Sequence, residues 1–427
     1  MRVCVVGSGG REHALVWRLA QDPAVSEVVA VPGNPGIAAL ARCVSGSVTD
    51  PEGLLAVVDA ESIDLTVVGP EAALDAGVAD LFRAKGHPIV GPGRYAAALE
   101  SSKAFAKDFM AAAGIPTARF LTCRSADAAL EAVSGAAFGF PVVVKADGLA
   151  GGKGVVVAAT REEAEAAVRE VMVDRRFGDA GNTVVIEECL VGPEVSFFVL
   201  ADGTRAIPLG TAQDHKRLSD NDEGPNTGGM GAFAPSPLVT PEMEALVMNT
   251  IVQPVVDGMA AHGGYRGFLY VSLMLTSDGP KVIEFNVRFG DPETQVIWPL
   301  LSGPVAETLL AAAQGDVSGH TLSLRQGACV GVVLAAPGYP AGPQTGGAID
   351  GLDAPPSTAD TIVFHAGTAV RGGRLVTAGG RVVTVVGRGD SIGQARSRAY
   401  DALAAIRFDG MQYRTDIGRK AQAATAE

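Results

Sequence analysis

The sequence predicts an α/β protein whose N-terminal part is a Rossmann-like parallel sheet. Short apolar segments at residues 3–6, 28–31, 65–68 and 88–90 are typical of buried strands, and helical or loop stretches separate them. The chain has 427 residues, including 54 glycines and 25 prolines. This length and turn content indicate about three domains, at roughly 100–200 residues per domain.

The charge balance excludes some classes of partner. The formal net charge is −13 at pH 7, whereas nucleic-acid binders and proteins of anionic membranes carry basic surfaces. The five cysteines are scattered without a C-x-x-C pair, which predicts free thiols and no disulfide frame or zinc site. The chain begins directly with a strand and lacks an apolar run of bilayer length, so we expect a soluble, cytoplasmic protein.

Each of the first four strands ends in a glycine- or proline-rich turn, and ligands of open parallel sheets bind at such ends. We therefore expect the four turns to form one crevice. The first turn, G-S-G-G-R-E-H, is close to a dinucleotide-binding loop. However, Glu12 stands at the third glycine position, and no acidic residue ends the strand at 28–31. The glycines, Arg11 and the following helix N-terminus suit a smaller anion, such as a sugar phosphate.

Residues 141–157 form the most informative segment. Two Val-rich strands flank a loop that contains Gly148, Gly151, Gly152 and Gly154, with Lys145 and Lys153 nearby. Glycine loops allow backbone N–H groups to approach phosphates, and lysines neutralise them. The loop is not a P-loop, because its spacing is one residue short and a strand follows it. The segment therefore predicts a phosphate-covering hairpin; the alternative is a flexible hairpin with solvated lysines.

Residues 281–291 predict a strand that presents Glu284, Asn286 and Arg288 on one face. Carboxylate and amide oxygens two residues apart suit a hard cation such as Mg²⁺. The alternative is an edge strand with a solvated polar face, which the adjacent Asp291 makes less convincing.

Three other segments carry predictions. A helix capped by Ser101 or Ser102 starts with Lys103 and ends near Gly114. Residues 210–237 predict a long functional loop that contains D-H-K-R and N-T-G-G-M-G. A helix at 391–406 would begin with a capping box formed by Ser391 and Gln394. No Ser-His-Asp order or nucleophile elbow is present in the sequence, which favours phosphoryl transfer by positioning and electrostatics.

Five motifs together resemble the phosphoribosylamine–glycine ligases, or glycinamide ribonucleotide synthetases, of the ATP-grasp superfamily. They are G-S-G-G-R-E-H-A-L, V-V-V-K-A-D-G-L-A-G-G-K-G-V, Q-D-H-K-R, G-P-N-T-G-G-M-G-A and E-F-N-V-R-F-G-D-P-E-T-Q. The match is colinear from Met1 to about Gly418, and its last three motifs are the most specific.

The resemblance implies an ATP-grasp architecture whose C-terminal α+β domain packs back on the N-terminal one. The expected parts are an N-terminal substrate domain at 1–101, a connecting helix at 102–120, an ATP lid at 121–188, a central ATP-grasp domain at 189–325 and a C-terminal domain at 326–427.

The resemblance also implies site residues, carried over position by position. The residues expected to bind ATP are Lys103, Lys145, Gly148, Gly151, Gly152, Lys153, Glu187, Leu190 and Glu194. Glu284 and Asn286 would bind Mg²⁺ or Mn²⁺. The residues expected to bind glycine and 5-phosphoribosylamine are Gly9, Gly10, Arg11, Glu12, Asp214, His215, Lys216, Arg217, Asn226, Thr227, Gly228, Gly229, Arg288, Gly290 and Asp291. The expected catalytic groups are Arg288, Lys145 and Asp291.

The implied reaction is the ATP-dependent ligation of glycine to 5-phosphoribosylamine in purine synthesis, through glycyl phosphate and with ADP as a product. Two other interpretations stay open: a carboxylase of the same superfamily and a non-catalytic nucleotide-binding regulator. The partners are small molecules, with neither nucleic acid nor membrane, and a monomer is expected. The strand at 267–275 offers no carboxylate for a second metal ion, so the number of ions stays open.

Overall fold

The computed structural model describes residues 1–148, 154–352 and 360–424. Its N-terminal part is a parallel five-stranded sheet in the order β3-β2-β1-β4-β5, covered by helices on both faces. The strands are β1 (Arg2–Gly7), β2 (Glu27–Pro32), β3 (Arg42–Cys43), β4 (Leu65–Val68) and β5 (Ile89–Val90). The helices are α1 (Gly10–Leu19), α2 (Pro35–Ala38), α3 (Pro51–Ala60), α4 (Glu71–Asp75), α5 (Val78–Ala84) and α6 (Arg94–Ser101).

Alternation along β1 explains why this sheet is covered on both faces. Val3 and Val5 contact one hydrophobic core, and Cys4 and Val6 contact the other. The four strands predicted from apolar runs are confirmed, and their parallel pairing places the turns that follow them at one edge.

A connecting helix and a small four-stranded sheet follow. The helices are α7 (Lys103–Ala113), α8 (Ala126–Ser134) and α9 (Arg161–Val168), and the strands are β6 (Phe120–Cys123), β7 (Val142–Ala146), β8 (Val155–Ala158) and β9 (Val184–Glu188). The sheet is antiparallel in the order β6-β9-β7-β8 and has its own hydrophobic core. The predicted hairpin is confirmed as β7–β8, but Gly151, Gly152 and Lys153 lie outside the described residues.

The described residues of the rest of the chain build one eight-stranded antiparallel sheet in the order β16-β15-β10-β11-β14-β19-β23-β20 and three separate two-stranded sheets, β12-β13, β17-β18 and β21-β22. The central part of the chain contains β10 (Glu194–Asp202), β11 (Ala206–Asp214), β12 (Arg217–Ser219), β13 (Glu223–Asn226), β14 (Gly231–Ala234), α10 (Pro241–Val247), α11 (Gln253–Met259), β15 (Arg266–Thr276), β16 (Gly279–Asn286), α12 (Glu293–Ile297), β17 (Leu301–Ser302), α13 (Val305–Gln314) and β18 (Ser323–Leu324). The C-terminal part adds β19 (Ala328–Ala335), β20 (Thr361–His365), β21 (Thr368–Arg371), β22 (Arg374–Thr377), β23 (Arg381–Gly389), α14 (Ile392–Leu403) and α15 (Arg419–Ala424).

The C-terminal part also contacts the N-terminal sheet. His13 Nδ1 on α1 accepts a hydrogen bond from the His365 backbone N–H at 2.8 Å, and Asn34 Nδ2 donates to the His365 carbonyl at 2.9 Å. His13 therefore fastens two parts of the fold together. The eight-stranded sheet crosses the predicted boundary at 325/326, and the domain limits themselves stay predictions. No helix in the described ranges combines the length and apolarity that a membrane crossing requires.

Three sequence predictions need correction. The strand predicted to run to Asp291 ends at Asn286, because the next backbone N–H, that of Val287, donates to the Glu100 carboxylate at 2.7 Å. The loop predicted at 210–237 contains the end of β11 and the strands β12, β13 and β14, whose pairing the Gly- and Pro-rich sequence conceals.

The third correction concerns the predicted capping box of α14. Ser391 Oγ accepts from the Gln394 N–H, as expected, but the Gln394 side chain accepts from the N–H of Asp390 and not from that of Ser391.

A glycine on β23 tests how closely α14 packs on the sheet. A Cβ at Gly387 would lie 2.1 Å from the Ala395 carbonyl oxygen on α14. We expect Gly387→Ala to lower the free energy of unfolding by about 1–3 kcal/mol through overpacking, measured by urea denaturation. Gly342→Ala is the control, because its Cβ would meet nothing within 4 Å. Equal stability of the two variants would contradict this packing.

Candidate functional site

One cavity of about 1100 Å³ lies where all parts of the chain meet. Single-ligand pockets in proteins are usually about 300–1,000 Å³, so this cavity has room for more than one substrate. The predicted residues that line it are Arg11, Lys103, Lys145, Gly148, Glu187, Leu190, Glu194, Asp214, His215, Lys216, Arg217, Asn226, Thr227, Gly228, Glu284, Asn286, Arg288 and Asp291. The predicted residues Gly9, Gly10, Glu12, Gly229 and Gly290 are not among the residues that line it.

Three lysines, Lys103, Lys107 and Lys145, form what we call the lysine wall of the cavity. Glu187 lies between two of them: its carboxylate is 2.9 Å from Lys145 Nζ and 3.0 Å from Lys107 Nζ. Burial lowers the pKa of Lys107 to about 8, against the opposing effect of Glu187. The Glu187 carboxylate is thus engaged with two lysine amines, and its predicted contact with adenosine stays a prediction.

Lys103 links the start of α7 to the hairpin loop. Ser102 caps the helix by accepting from the Phe105 N–H at 3.1 Å. Lys103 Nζ then donates to the Gly148 carbonyl at 3.2 Å. Gly148 has a φ of +153°, and a Cβ there would lie 2.6 Å from the Ala180 side chain. The lysine and the loop that the sequence singled out separately therefore lie together.

Glu284 and Asn286 project from β16 into the cavity. Burial favours the neutral form of Glu284, but Lys103 and Lys145 outweigh it and hold the pKa below its ordinary value. Within the described part of the chain, neither side chain has a hydrogen-bond or ion-pair partner, and no group of three His, Cys, Asp or Glu residues is placed so that it could hold a metal ion. An ionised carboxylate and a free amide oxygen fit a cation that completes its shell with phosphates and water.

A bulge in the ladder beside this pair helps to place Lys145. Ser272 pairs with Glu284 and Leu273 with Val282, so Ile283 has no partner residue on β15. The Ile283 carbonyl accepts a hydrogen bond from Lys145 Nζ at 3.3 Å.

Arg288 is held by two carboxylates of the N-terminal part. Its Nε is 3.1 Å from Glu71, and its Nη2 is 2.7 Å from Glu100. Burial raises the pKa of Glu100 to about 7 despite the opposing effect of Arg288. The pKa of Glu71 is lowered to about 2, because Arg288 and Arg11 outweigh the effect of burial. Two neighbouring carboxyls therefore have very different proton affinities.

The first N-terminal turn lies close to Arg288. Arg11 Nε is 2.5 Å from Glu12 Oε1, and Glu12 Oε2 accepts from the Gly9 N–H at 2.6 Å. Arg11 Nη1 and Arg288 Nη1 both donate to the Phe289 carbonyl, at 3.4 and 3.5 Å. Glu12, which departs from the dinucleotide pattern, thus orients Arg11 through this ion pair.

Arg381 comes from the C-terminal part and was not predicted. Its Nη1 donates to the Gly228 and Asp291 carbonyls, both at 2.6 Å, and its Nη2 is 3.1 Å from the Asp291 carboxylate. Gly229 has a φ of +108°, and a Cβ there would lie 2.6 Å from Pro292, so the two motif loops approach closely. Arg11, Arg288 and Arg381 form what we call the arginine corner.

The D-H-K-R motif supplies a third group of charges. Lys216 forms an ion pair with Glu194. Burial raises the pKa of Asp214 to about 7, although Lys216 opposes this shift. Burial also lowers the pKa of His215 to about 4, and its Nδ1 is among the buried polar atoms of the described residues that lack a hydrogen-bond partner. The predicted contact of His215 with a substrate stays a prediction.

Lys107, Glu71, Glu100 and Arg381 were missed for different reasons. Lys107 lies one helical turn after Lys103 in α7, a spacing that could have revealed it. Glu71 and Glu100 lie in N-terminal helices without a motif, and Arg381 opens an ordinary-looking β-strand. Only the packing of the N- and C-terminal parts around the cavity makes them part of the site.

Models of three phosphoribosylglycinamide synthetase domains match consecutive parts of the chain: the N domain at residues 1–100, the ATP-grasp (A) domain at 101–294 and the C domain at 329–420. The chain is 51% identical to a phosphoribosylamine–glycine ligase of Ralstonia nicotianae, with 99% of both chains covered. It is 52% identical to a protein of that name from Xanthomonas axonopodis pv. citri, with 99% of this chain and 98% of the other covered.

Solved structures give the same picture. The crystal structure of phosphoribosylamine–glycine ligase from Thermotoga maritima superimposes with a TM-score of 0.85 at 35% identity, covering 97% of this chain and 100% of that one. The biotin carboxylase domain of a Hydrogenobacter thermophilus 2-oxoglutarate carboxylase shares the fold, with a TM-score of 0.75 at 19% identity and coverage of 96% and 91%.

The proton affinity of Glu100 predicts a pH dependence of stability. With a pKa raised from 4.5 to about 7, the folded protein keeps a proton that the unfolded chain releases. Stability should therefore fall as the pH rises between these values, by up to about 3 kcal/mol from this group. Glu100→Gln should remove this component, as measured by urea denaturation across the range. Parallel pH profiles of the wild type and the variant would contradict the assignment.

Proposed function

The chain belongs to the phosphoribosylglycinamide synthetase family, and on this premise we propose how its cavity performs the reaction of the family. The protein is an ATP-dependent ligase that joins glycine to 5-phosphoribosylamine in purine biosynthesis. The observation that carries the mechanism is the arrangement along one segment: Glu284 and Asn286 adjoin the lysine wall, and Arg288 follows them in the arginine corner.

The lysine wall is proposed to bind the phosphates of ATP. Lys103 and Lys145 place their charges around the start of the hairpin loop, and Glu187 fixes the amine of Lys145 before ATP arrives. Leu190 and Glu194, beyond the end of β9, would contact adenosine. Glu284 and Asn286 would hold Mg²⁺ or Mn²⁺, which supplies charge neutralisation on the phosphate oxygens.

The arginine corner is proposed to bind the two other substrates. Arg288 keeps unused N–H groups beyond its contacts with Glu71, Glu100 and Phe289. These groups can orient the glycine carboxylate toward the γ-phosphate, so that carboxylate attack yields glycyl phosphate and ADP. Asp291 would face the substrate amines while Arg381 keeps it ionised, since Arg381 and Arg11 outweigh burial and lower the pKa of Asp291.

The second step is amide formation. The amine of 5-phosphoribosylamine would attack the glycyl carbonyl and displace phosphate. Asp214 lines the cavity with a pKa raised to about 7 by burial, which suits a proton acceptor near neutral pH. The four-stranded lid would exclude water, because an exposed acyl phosphate hydrolyses. We expect the protein to act in the cytoplasm as a monomer.

A substrate-omission assay tests the proposed function. Coupled ADP release should require glycine and 5-phosphoribosylamine together, the latter generated in place from ribose 5-phosphate and ammonia. Bicarbonate should not replace glycine. ADP release that depends on bicarbonate would favour a carboxylase, and absence of turnover with intact ATP binding would favour a nucleotide-binding regulator.

The metal assignment makes a separate prediction. Glu284→Gln should lower kcat by at least about 100-fold, because it removes the charged ligand while keeping the shape of the side chain. Its unfolding midpoint should stay near that of the wild type, since Glu284 has no hydrogen-bond or ion-pair partner among the described residues.

The matched control for this prediction is Glu307→Gln, an exposed position in the first turn of α13. Near-normal turnover of Glu284→Gln at saturating Mg²⁺ would show that the ligand is another residue.

A further inference from the structure

The hairpin β12–β13 forms part of the cavity but does not belong to either large sheet. Among the described residues, its two strands pair only with each other, and Arg217, Asp222 and Asn226 line the cavity. Almost all of its residues are exposed or half-buried. An isolated two-stranded hairpin is only marginally stable in water. Contacts from elsewhere must therefore hold this hairpin in place.

Arg414 provides the central contact. Its side chain is fully buried, at 0% exposure. Its Nη1 lies 2.8 Å from the Asp222 carboxylate and donates to the Arg217 carbonyl at 3.1 Å, so one guanidinium reaches the first residue of β12 and the turn between the two strands. Asp416 accepts from the other side of the guanidinium, with both distances at 2.7 Å. Such planar, paired contacts fix the orientation of an arginine.

Neighbouring residues of the same segment complete the attachment. Asp416 also accepts from the Asn221 N–H at 2.9 Å, and the Thr415 N–H donates to Asp220 at 2.7 Å. Lys420 pairs with Asp222. The turn of the hairpin is thus covered by the segment 414–420, which we call the C-terminal latch.

The latch is itself held from behind by α14. Arg396 Nε donates to the Ile417 carbonyl at 3.1 Å, and Tyr400 Oη donates to the Arg414 carbonyl at 2.7 Å. A continuous set of contacts therefore runs from the C-terminal sheet and its helix, through the latch, to the hairpin at the cavity.

We propose that Arg414 is a positioning residue of the reaction, which fixes the β12–β13 hairpin in the form that receives glycine and 5-phosphoribosylamine. Arg414 does not line the cavity, so its effect is exerted through Asp222 and the Arg217 backbone. The lysine wall lies on other elements, so the proposed phosphate contacts of ATP are separate from the latch. The identity of the substrates rests on the proposed function; the attachment of the hairpin does not.

The test compares full-length Arg414→Ala with Arg419→Ala. Arg419 lies in the same segment and is exposed, and its side chain has no hydrogen-bond or ion-pair partner among the described residues, so it controls for loss of charge. We expect Arg414→Ala to raise the KM of glycine or 5-phosphoribosylamine by at least about tenfold, equivalent to about 1.4 kcal/mol. The KM of ATP should change by less than about twofold, since its wall is not attached to the latch.

Limited trypsin digestion provides a readout that does not depend on catalysis. Released from the latch, the hairpin should be cleaved after Lys216 or Arg217 in Arg414→Ala, but not in Arg419→Ala or the wild type. Asp222→Asn is a milder second variant, because Arg414 keeps its pairing with Asp416. It should show smaller changes of the same kind even if Arg414→Ala fails to fold.

The outcomes separate the alternatives. Loss of kcat and unfolding midpoint with all KM values unchanged in both latch variants would show a merely structural role and overturn the proposal. An intact hairpin in the protease assay would also overturn it. If the wild type forms no amide but the latch variants expose the hairpin, the proposed function fails while the attachment stands.

Discussion

The pairing of Arg288 with Glu71 and Glu100 is the interaction on which the arrangement of the cavity depends. It joins two helices of the N-terminal part, α4 with Glu71 and α6 with Glu100, to the segment that follows β16. Glu100 also accepts a hydrogen bond from the Val287 N–H, which ends the strand directly after Glu284 and Asn286, the proposed metal ligands. These contacts with Glu71 and Glu100 direct the chain away from the sheet edge after Asn286 and fix the position of Arg288. The positions of the proposed cation site and of the arginine corner therefore both depend on this ion-pair network.

A common rule governs the charges of the cavity. Most of the basic side chains around the cavity form an ion pair with a carboxylate of the protein: Lys145 and Lys107 with Glu187, Arg11 with Glu12, and Arg381 with Asp291. Burying a lone charge is unfavourable, and a partner that leaves some N–H groups free makes the cation available without reorganisation. Glu284 is the contrasting case, since it is ionised but has no hydrogen-bond or ion-pair partner among the described residues. The basic side chains thus keep some N–H groups free for anionic substrates, and the Glu284 carboxylate is free to bind a cation.

The sequence was most informative where one segment carried both the fold and the chemistry. The Val-rich strands around Lys145 and the order Glu284, Asn286, Arg288 identified the hairpin and the polar strand face, because their periodicity and their functional groups coincide. The predicted end of that strand was wrong, because the strand ends where the Val287 N–H donates to Glu100, a residue nearly 200 positions away in the chain. Arg381 and Arg414 could not be recognised for a similar reason: their roles come from tertiary contacts, and nothing in their local sequence distinguishes them from ordinary strand or surface residues.

In the proposed reaction the carboxylate of glycine, and not an enzyme side chain, receives the γ-phosphate in this cavity. Glycine labelled with ¹⁸O in its carboxylate tests this most directly. We expect label to pass from glycine to inorganic phosphate in step with amide formation, and ADP to be the nucleotide product. Unlabelled phosphate, or release of AMP and pyrophosphate, would contradict it, because neither result is compatible with glycyl phosphate formed between the lysine wall and Arg288.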